Sequence, residues 1–118
     1  MVSPPRTIPR RGDIIGINLQ PQSGHEQSGR RPALVLSPES YNSKTGLAIL
    51  CPITAQRKGY PFEVPLPTGL PVTGVILADQ VKSLDWRTRQ ASFICALLPD
   101  VVTEVLQKLL LLLTPPGN

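Results

Sequence analysis

The sequence has 118 residues, the length of one small domain. Apolar residues make up 41% of it, and no apolar run approaches the roughly 20 residues needed to cross a bilayer. Twelve lysines and arginines against eight acidic residues give a net charge of +4, which suits a polyanionic partner or an acidic protein. We therefore expect a single cytoplasmic domain that has no contact with a membrane.

The cysteine and histidine content argues against a metal centre. Cys51 and Cys95 lie in strand-like apolar runs without C-x-x-C spacing, and His25 is the one histidine. A structural zinc site needs about four ligands at suitable spacing, which the chain does not offer. We therefore expect two reduced cysteines, as is usual in the cytosol, and neither a metal nor another cofactor.

Fourteen prolines divide the chain into short segments. Short aliphatic or β-branched runs bounded by Gly, Pro, Asn or Ser are typical of strands. The predicted strands are residues 14–19, 33–36, 47–53, 62–66, 74–78, 80–84 and 91–98. A short helix is predicted at 39–43. Several short strands at close spacing favour a barrel over an open sheet.

The C-terminal segment has helical periodicity. A helix is predicted from residue 100 to 113, with Pro99 at its start and two prolines after its end. The apolar positions that recur at helical spacing are Val102, Val105, Leu106, Leu109 and Leu113. Three more leucines, at 110–112, widen this stripe. A helix covered on two sides, as in a dimer, would account for them.

Two polar loops follow strand-like runs, and such loops are where function concentrates. The first loop, QPQSGHEQSGRR at 20–31, contains Glu26 and ends at Arg31, while the second begins at Thr54. A guanidinium matches phosphate oxygens with a fork of donors, a hydroxyl adds a donor, and a carboxylate of raised pKa can act as a base. The same residue types are common on solvated surfaces, so the pattern alone leaves both interpretations open.

Four motifs taken together resemble the MazF/PemK family of toxin endoribonucleases. They are Gly-Asp-Ile at 12–14, Glu-Gln-x-Gly-x-Arg-Pro at 26–32, Lys-Gly-Tyr-Pro-Phe at 58–62 and Ala-Asp-Gln-Val-Lys at 78–82. The resemblance covers about two-thirds of the chain, from Gly12 to Arg89. It implies a mostly β fold, a small SH3-like barrel of the CcdB/PemK type with a C-terminal α-helix.

The resemblance also implies an activity and its partners. The chain is expected to be the homodimeric toxin of a type II toxin–antitoxin system and to cut single-stranded RNA without a metal ion. Internal transphosphorylation would leave a 2′,3′-cyclic phosphate and a 5′-hydroxyl. Close relatives prefer ACA-containing sites, and a similar preference is expected here. An acidic, MazE-like antitoxin would cover the RNA groove.

The resemblance also implies roles for individual residues of this sequence. The resemblance implies that Arg31 is the catalytic arginine, Thr54 the strand-end threonine, and Glu26 the acidic residue beside them. Amides and cations can read the base edges of a splayed single strand. The residues expected to contact RNA are Gln27, Asn42, Gln56, Arg57, Lys58 and Gln80.

One domain with two short tails is expected. Residues 1–11 form a flexible, basic, proline-rich tail, residues 12–114 the toxin domain, and residues 115–118 a C-terminal tail.

Two other functions stay open. A non-catalytic toxin of the same fold could poison DNA gyrase, although it would need none of the three catalytic residues. An inactive module could instead bind RNA or the antitoxin.

Overall fold

The computed structural model describes residues 8–19 and 29–116. Seven strands and two helices make up this part of the chain. Their bounds are β1 Asp13–Asn18, β2 Arg30–Val35, α1 Glu39–Thr45, β3 Leu47–Thr54, β4 Glu63–Pro65, β5 Val75–Leu77, β6 Lys82–Asp85, β7 Ser92–Ala96 and α2 Pro99–Leu113. The predicted mostly β fold with a C-terminal helix is confirmed.

Strand β3 organises the sheet, because three other strands pair with it. It pairs antiparallel with β2, with Ala33 opposite Pro52. It also pairs with β6 along residues 47–50 and with β5 at residues 53–54. The change of partner falls at Cys51 and Pro52, and Pro52 has no amide hydrogen to donate to a ladder. The starts of β2 and β5 are thereby brought to the C-terminal end of β3, and β6 begins beside Leu50 in the middle of β3.

The sheet is open. The strand order is β4-β5-β3-β2-β1-β7, with β6 beside β3, and within the described ranges the outermost strands β4 and β7 do not pair with each other. The sequence predicts a barrel, but the sheet does not close into one, and that part of the prediction is wrong. Strands β4 and β5 have three residues each, which is too short a ladder to continue the tilted pairing that closes a barrel.

Apolar side chains are buried on both faces of the sheet. Alternation along β1 places Ile14 in one core, while Ile15 and Ile17 belong to the other. The first core lies under α2. The second contains Trp86, which is 6% exposed and whose Nε1 donates to the Asn42 carbonyl at 2.9 Å. The indole is therefore a packing residue and not a stacking platform for bases.

Helix α2 packs on the sheet over only part of its length. Val102, Val105 and Leu109 are buried, and Leu106 is half-buried. Leu113 was predicted on the same stripe, but it is 66% exposed. The residues before it, 110–112, are each at least 51% exposed, so the last turn of the helix lies beyond the sheet. The prediction for Leu113 is wrong for the single chain.

Asn42 ties α1 to the N-terminal segment. Its side chain is fully buried; Nδ2 donates to the carbonyls of Pro9 at 2.8 Å and Ser37 at 3.1 Å. Its Oδ1 accepts from the Ser37 hydroxyl at 2.5 Å. The prediction that Asn42 contacts RNA is therefore wrong, because the amide is enclosed and its bonding is internal.

Residues 8–11 contact the domain, although the sequence assigns them to the flexible tail. Pro9 is buried. Arg11 Nε donates to the Leu36 carbonyl at 2.7 Å, and Arg10 Nε lies 3.2 Å from the Glu39 carboxylate. The predicted tail is thus wrong for these last four residues, while residues 1–7 lie outside the described part of the chain.

Both cysteines are free, as predicted. Burial raises the pKa of the Cys51 thiol to about 12, and burial also raises the pKa of the half-buried Cys95. Both thiols therefore stay protonated at neutral pH, and neither has the character of an activated nucleophile.

Replacing Asn42 with alanine should lower the free energy of unfolding by about 1–3 kcal/mol. The reason is that the Ser37 hydroxyl and the carbonyls of Pro9 and Ser37 would lose the hydrogen bonds they make to its side chain. The control is Ser43→Ala on the same helix, whose hydroxyl donates only to the Ser40 carbonyl at 3.3 Å; a change within about 0.5 kcal/mol is expected there. Urea unfolding followed by circular dichroism measures both. Equal stabilities of the two variants would contradict this role of Asn42.

Candidate active site

Arg31 and Thr54 stand at the open end of the β2–β3 ladder. The observed register sets Ala33 opposite Pro52. Continued by two residues on each strand, the same register sets Arg31 opposite Thr54. Directly opposed residues of an antiparallel pair point to the same face. The strand pairing therefore brings together two of the three predicted catalytic residues.

A cleft of about 690 Å³ opens at this strand end. Four of the predicted site residues line it: Arg31, Thr54, Gln56 and Gln80. Lys82 also lines it and lies at the start of β6, opposite Leu50 of β3. Lys82 is not among the predicted residues. The motif at 78–82 ends on it, but only the pairing of β6 with β3 places it beside the cleft.

The cleft is positively charged. Its described lining contains two cationic side chains, Arg31 and Lys82, and no carboxylate. The Arg31 side chain is exposed, and its Nη1 donates to the Arg30 carbonyl at 3.0 Å, which anchors the guanidinium to its own strand. A guanidinium carries five donors. The cleft therefore suits an anion with several acceptor oxygens, such as a phosphodiester.

The neighbouring arginine lies elsewhere. Arg30 Nη2 donates to the Gly16 carbonyl at 3.0 Å and to the Ser92 hydroxyl at 2.6 Å. Adjacent strand residues point to opposite faces, so Arg30 braces β2 against β1 and β7 and only Arg31 lines the cleft.

The Thr54 hydroxyl is oriented by the loop that follows β3. Its oxygen accepts from the backbone amide of Gln56 at 3.2 Å. A hydroxyl that accepts one bond still has its own hydrogen to donate. Thr54 can therefore donate to an anion held by Arg31.

Gly74 allows β5 to approach Thr54 closely. Its φ is +121°, and a Cβ placed on it would lie 2.1 Å from the Thr54 carbonyl oxygen and 2.9 Å from the Ala55 Cα. No side chain fits there without displacing the end of β3. The sequence shows Gly74 as the first residue of a predicted strand, but its contact with Thr54 comes only from the β3–β5 pairing.

A smaller cavity of about 190 Å³ adjoins the cleft. The two share four lining residues: Thr54, Gln56, Leu77 and Gln80. The smaller cavity adds Lys58, Tyr60, Glu63 and Asp79. A nucleotide chain that occupies the cleft can therefore extend a group into this cavity.

Glu63 fixes the loop between β3 and β4. Its carboxylate accepts from the backbone amides of Lys58 at 3.0 Å and Gly59 at 3.0 Å. Bonds to an ionised carboxylate are about twice as strong as neutral ones. From α2, Lys108 Nζ donates to the Pro61 carbonyl at 2.7 Å. The loop that carries three predicted RNA-contacting residues, Gln56, Arg57 and Lys58, is thus held by side chains from β4 and α2.

Three predicted site residues remain, and the structure describes one of them. Arg57 is exposed and lines neither cavity. Glu26 and Gln27 lie outside the described residues.

Among residues 8–19 and 29–116, no three His, Cys, Asp or Glu side chains cluster as metal ligands. Within the same ranges, no helix is long and apolar enough to span a membrane.

These features define a small, mostly antiparallel β protein whose strand-end cleft has the charge to hold an anion. The particular family follows from direct comparison. The chain belongs to the PemK-like, MazF-like toxins of type II toxin–antitoxin systems, whose family model matches residues 10–113. The family predicted from the four motifs is therefore confirmed.

Individual relatives agree with this assignment. The chain is 54% identical over 87 residues to the endoribonuclease toxin MazF of Escherichia coli K12, covering 74% of this chain and 78% of that protein. Identity to Escherichia coli endoribonuclease PemK is 34% over 110 residues, 88% of this chain and 81% of PemK. A crystal structure of Deinococcus radiodurans MazF matches with a TM-score of 0.85 and 53% identity, covering 93% of this chain and all of that one.

An antitoxin complex is among the solved structures that match. The MazE–MazF complex from Deinococcus radiodurans matches with a TM-score of 0.83 and 47% identity, covering 94% of this chain and 100% of the matched chain. The arrangement of strands described above is therefore one found in a toxin seen together with its antitoxin.

Replacing Gly74 with alanine should displace Thr54 as well as destabilise the fold. Gly69→Ala is the matched control, because Gly69 also has a positive φ, +90°, but nothing lies within 4 Å of its added Cβ. The control should lose about 1–2 kcal/mol of unfolding free energy from backbone strain alone. Gly74→Ala should lose more, since its Cβ also meets the β3 backbone. Urea midpoints of the two variants decide this, and equal losses would show that β3 does not crowd residue 74.

Proposed function

We propose that the chain is an endoribonuclease toxin that cuts single-stranded RNA at specific sequences, without a metal ion, and so stops translation and growth. The observation that carries the proposal is the strand-end cleft, which Arg31 and Thr54 line together and to which Lys82 adds a second cation. The names of the Escherichia coli relatives MazF and PemK, both endoribonucleases, support the same reaction class.

The proposed reaction is an internal transphosphorylation. The ribose 2′-oxygen attacks the adjacent phosphorus as its proton passes to a base, and the bond from phosphorus to the 5′-oxygen breaks. The 5′-oxygen takes up a proton as it leaves. The products are a 2′,3′-cyclic phosphate and a 5′-hydroxyl, with no water consumed. This chemistry needs a base, stabilisation of the phosphorane and a proton for the leaving group.

Arg31 and Thr54 are proposed to stabilise the phosphorane. Charge builds on the non-bridging oxygens as the 2′-oxygen attacks, and donors already fixed around those oxygens lower the barrier. Arg31 is anchored on β2, while the Gln56 amide orients the Thr54 hydroxyl. Both donors therefore stand ready before the substrate binds.

Glu26 is proposed as the base or proton shuttle. It belongs to the segment between β1 and β2, four residues before Arg30, outside the described residues. Its role rests on the family resemblance and stays a prediction.

Recognition of sequence is assigned to the polar residues around the scissile phosphate. Gln56 and Gln80 line both cavities, and Lys58 lines the smaller one; Arg57 and Gln27 complete the proposed set. Amide groups can pair with the edges of unstacked bases. A preference for ACA-containing sites, as in close relatives, remains part of this proposal.

The proposed partners follow from charge and exposed apolar surface. An acidic MazE-like antitoxin would be attracted to the cationic cleft. The exposed leucines 110–113 at the end of α2 support a homodimer, because monomers rarely expose a large apolar patch. The free thiols agree with the reducing cytoplasm as the site of action.

Arg31→Ala should reduce RNA cleavage by about a hundredfold to a thousandfold, the usual cost of removing an oxyanion donor. Arg87→Ala is the matched control, because Arg87 stacks on the Trp86 ring with its guanidinium 4.8 Å from the ring centre and lines neither cavity. Both are incubated in EDTA with mixed-sequence RNA, and cuts are mapped by primer extension. Circular dichroism of each variant verifies the fold.

Discrete cuts that persist in EDTA, remain with Arg87→Ala and vanish with Arg31→Ala are the expected result. Near-normal cleavage by a folded Arg31→Ala would reject the assignment of Arg31. RNA left intact by the wild-type protein across many sequences would favour the gyrase-poisoning or inactive-module alternatives.

Lys82→Gln should reduce the salt dependence of RNA binding. Each phosphate contact on a single strand contributes about 0.7 to the slope of log K against log salt concentration, so the slope should fall by about that amount. Lys44→Gln is the control, since Lys44 lies in the last turn of α1 and lines neither cavity. Binding of a non-cleavable 2′-deoxy oligonucleotide is measured at several salt concentrations. An unchanged slope for Lys82→Gln would remove this residue from the phosphate path.

A further inference from the structure

We propose that Arg30 is a positioning residue for RNA cleavage, because its side chain holds the start of β2 and thereby fixes the place of the Arg31 guanidinium. The inference rests on the proposed function and adds to it a residue outside the cleft. Two observations carry it: the start of β2 is paired on one side only, and Arg30 bridges from there to β1 and β7.

The first half of β2 has a strand partner on one side. Residues 30–34 pair with β1, whereas the pairing with β3 begins at Ala33. Pro32, just before it, has no amide hydrogen to donate to a ladder. Arg31 and Pro32 instead line the cleft. The placement of Arg31 relative to Thr54 on β3 therefore depends on how firmly the start of β2 is held on the β1 side.

The Arg30 side chain strengthens that hold. It is half-buried, and its Nη2 donates to the Gly16 carbonyl of β1 at 3.0 Å and to the Ser92 hydroxyl of β7 at 2.6 Å. Gly16 and Ser92 are direct partners in the β1–β7 pairing. One guanidinium thus ties the start of β2 to two further strands. The planar fork of donors suits this task, because its hydrogen bonds point in fixed directions.

Space for the guanidinium exists because residue 16 has no side chain. A Cβ placed on Gly16 would lie 3.5 Å from Arg30 Nε, from Arg30 Nη2 and from Ser92 Oγ. That distance is ordinary contact, but the γ atoms of a larger side chain would enter the space that the guanidinium occupies. Gly16 lies within a regular strand, so what the bridge requires here is the missing side chain and not an unusual backbone angle.

The bridge reaches Arg31 through the backbone. Arg31 Nη1 donates to the Arg30 carbonyl at 3.0 Å, so the Arg31 guanidinium moves with the Arg30 backbone. A displacement of about 1 Å in a donor that acts on the transition state can cost about a hundredfold in rate. Arg30 itself lines neither cavity. Loss of the bridge should therefore slow the chemical step and leave RNA binding nearly unchanged.

The test compares Arg30→Ala with Arg11→Ala. Arg11 is the matched control because its Nε donates to the Leu36 carbonyl at 2.7 Å, just after the opposite end of β2. Its loss also removes one charge and one backbone contact, but far from the cleft. Single-turnover cleavage in EDTA at saturating protein gives the rate constant, and binding of a non-cleavable 2′-deoxy oligonucleotide gives Kd. Urea unfolding of both variants compares their stabilities.

Arg30→Ala should lower the single-turnover rate constant about tenfold to a hundredfold. Its Kd should change by less than about threefold, since one charge outside the cleft is screened at physiological salt. Arg11→Ala should keep the wild-type rate constant and Kd. Arg30→Lys should regain only part of the rate, because an ammonium restores the charge and a donor but not the fork.

A second set of variants keeps Arg30 and changes its surroundings, and it carries the test if Arg30→Ala fails to fold. Ser92→Ala removes one of the two bonds and should cost a smaller part of the rate. Gly16→Val fills the space of the guanidinium and should reproduce the defect of Arg30→Ala. In the double variant the two losses should not add, because both remove the same contact.

Cleavage by the wild type with an unchanged rate constant in folded Arg30→Ala overturns the positioning role and leaves the ribonuclease in place. An equal fall in Arg11→Ala, or additive losses in the double variant, does the same. A loss confined to Kd also overturns it, since Arg30 would then act by binding RNA. RNA left intact by the wild type overturns the proposed function, and the role of Arg30 with it.

Discussion

The antiparallel register between β2 and β3 is the constraint on which the site depends. Ala33 lies opposite Pro52, and the same register continued to the strand end sets Arg31 opposite Thr54. A slip of one residue would turn every side chain of β2 to the other face. Arg30 would then replace Arg31 in the cleft, and Ala33 and Val35 would leave the core they share with β3. The burial of these apolar residues therefore fixes the position of Arg31, the proposed catalytic arginine.

Contacts around the end of β3 hold the Thr54 backbone and the following loop in position. Gly74 lets β5 lie against the Thr54 backbone, and Glu63 holds the following loop by its amides. The bond from Lys108 to Pro61 links the same loop to α2, whose last turn exposes leucines suited to a second subunit. Two cations, Arg31 and Lys82, line the cleft, where the proposed function places the scissile phosphate.

Much of the fold could be predicted, because each strand is a short apolar run ended by a proline, glycine or polar residue. All seven predicted strands and both helices occur within a few residues of their predicted bounds. The errors concern long-range packing. Asn42 looks like a surface residue in a polar segment but is enclosed by Pro9 and Ser37. Leu113 continues a helical stripe but extends beyond the sheet, and the barrel stays open because β4 and β5 are short.

By itself the sequence determined which segments form strands, where the helices begin and which family the chain resembles, and it predicted catalytic roles for Arg31 and Thr54. These are local properties, since periodicity, turn residues and short motifs are read within a few positions. The tertiary structure decided that Lys82 lines the cleft, that a side chain at residue 74 would meet the β3 backbone, and that Asn42 is internal. Those facts depend on which strands pair and in what register, and pairing is set by contacts between residues far apart in the chain.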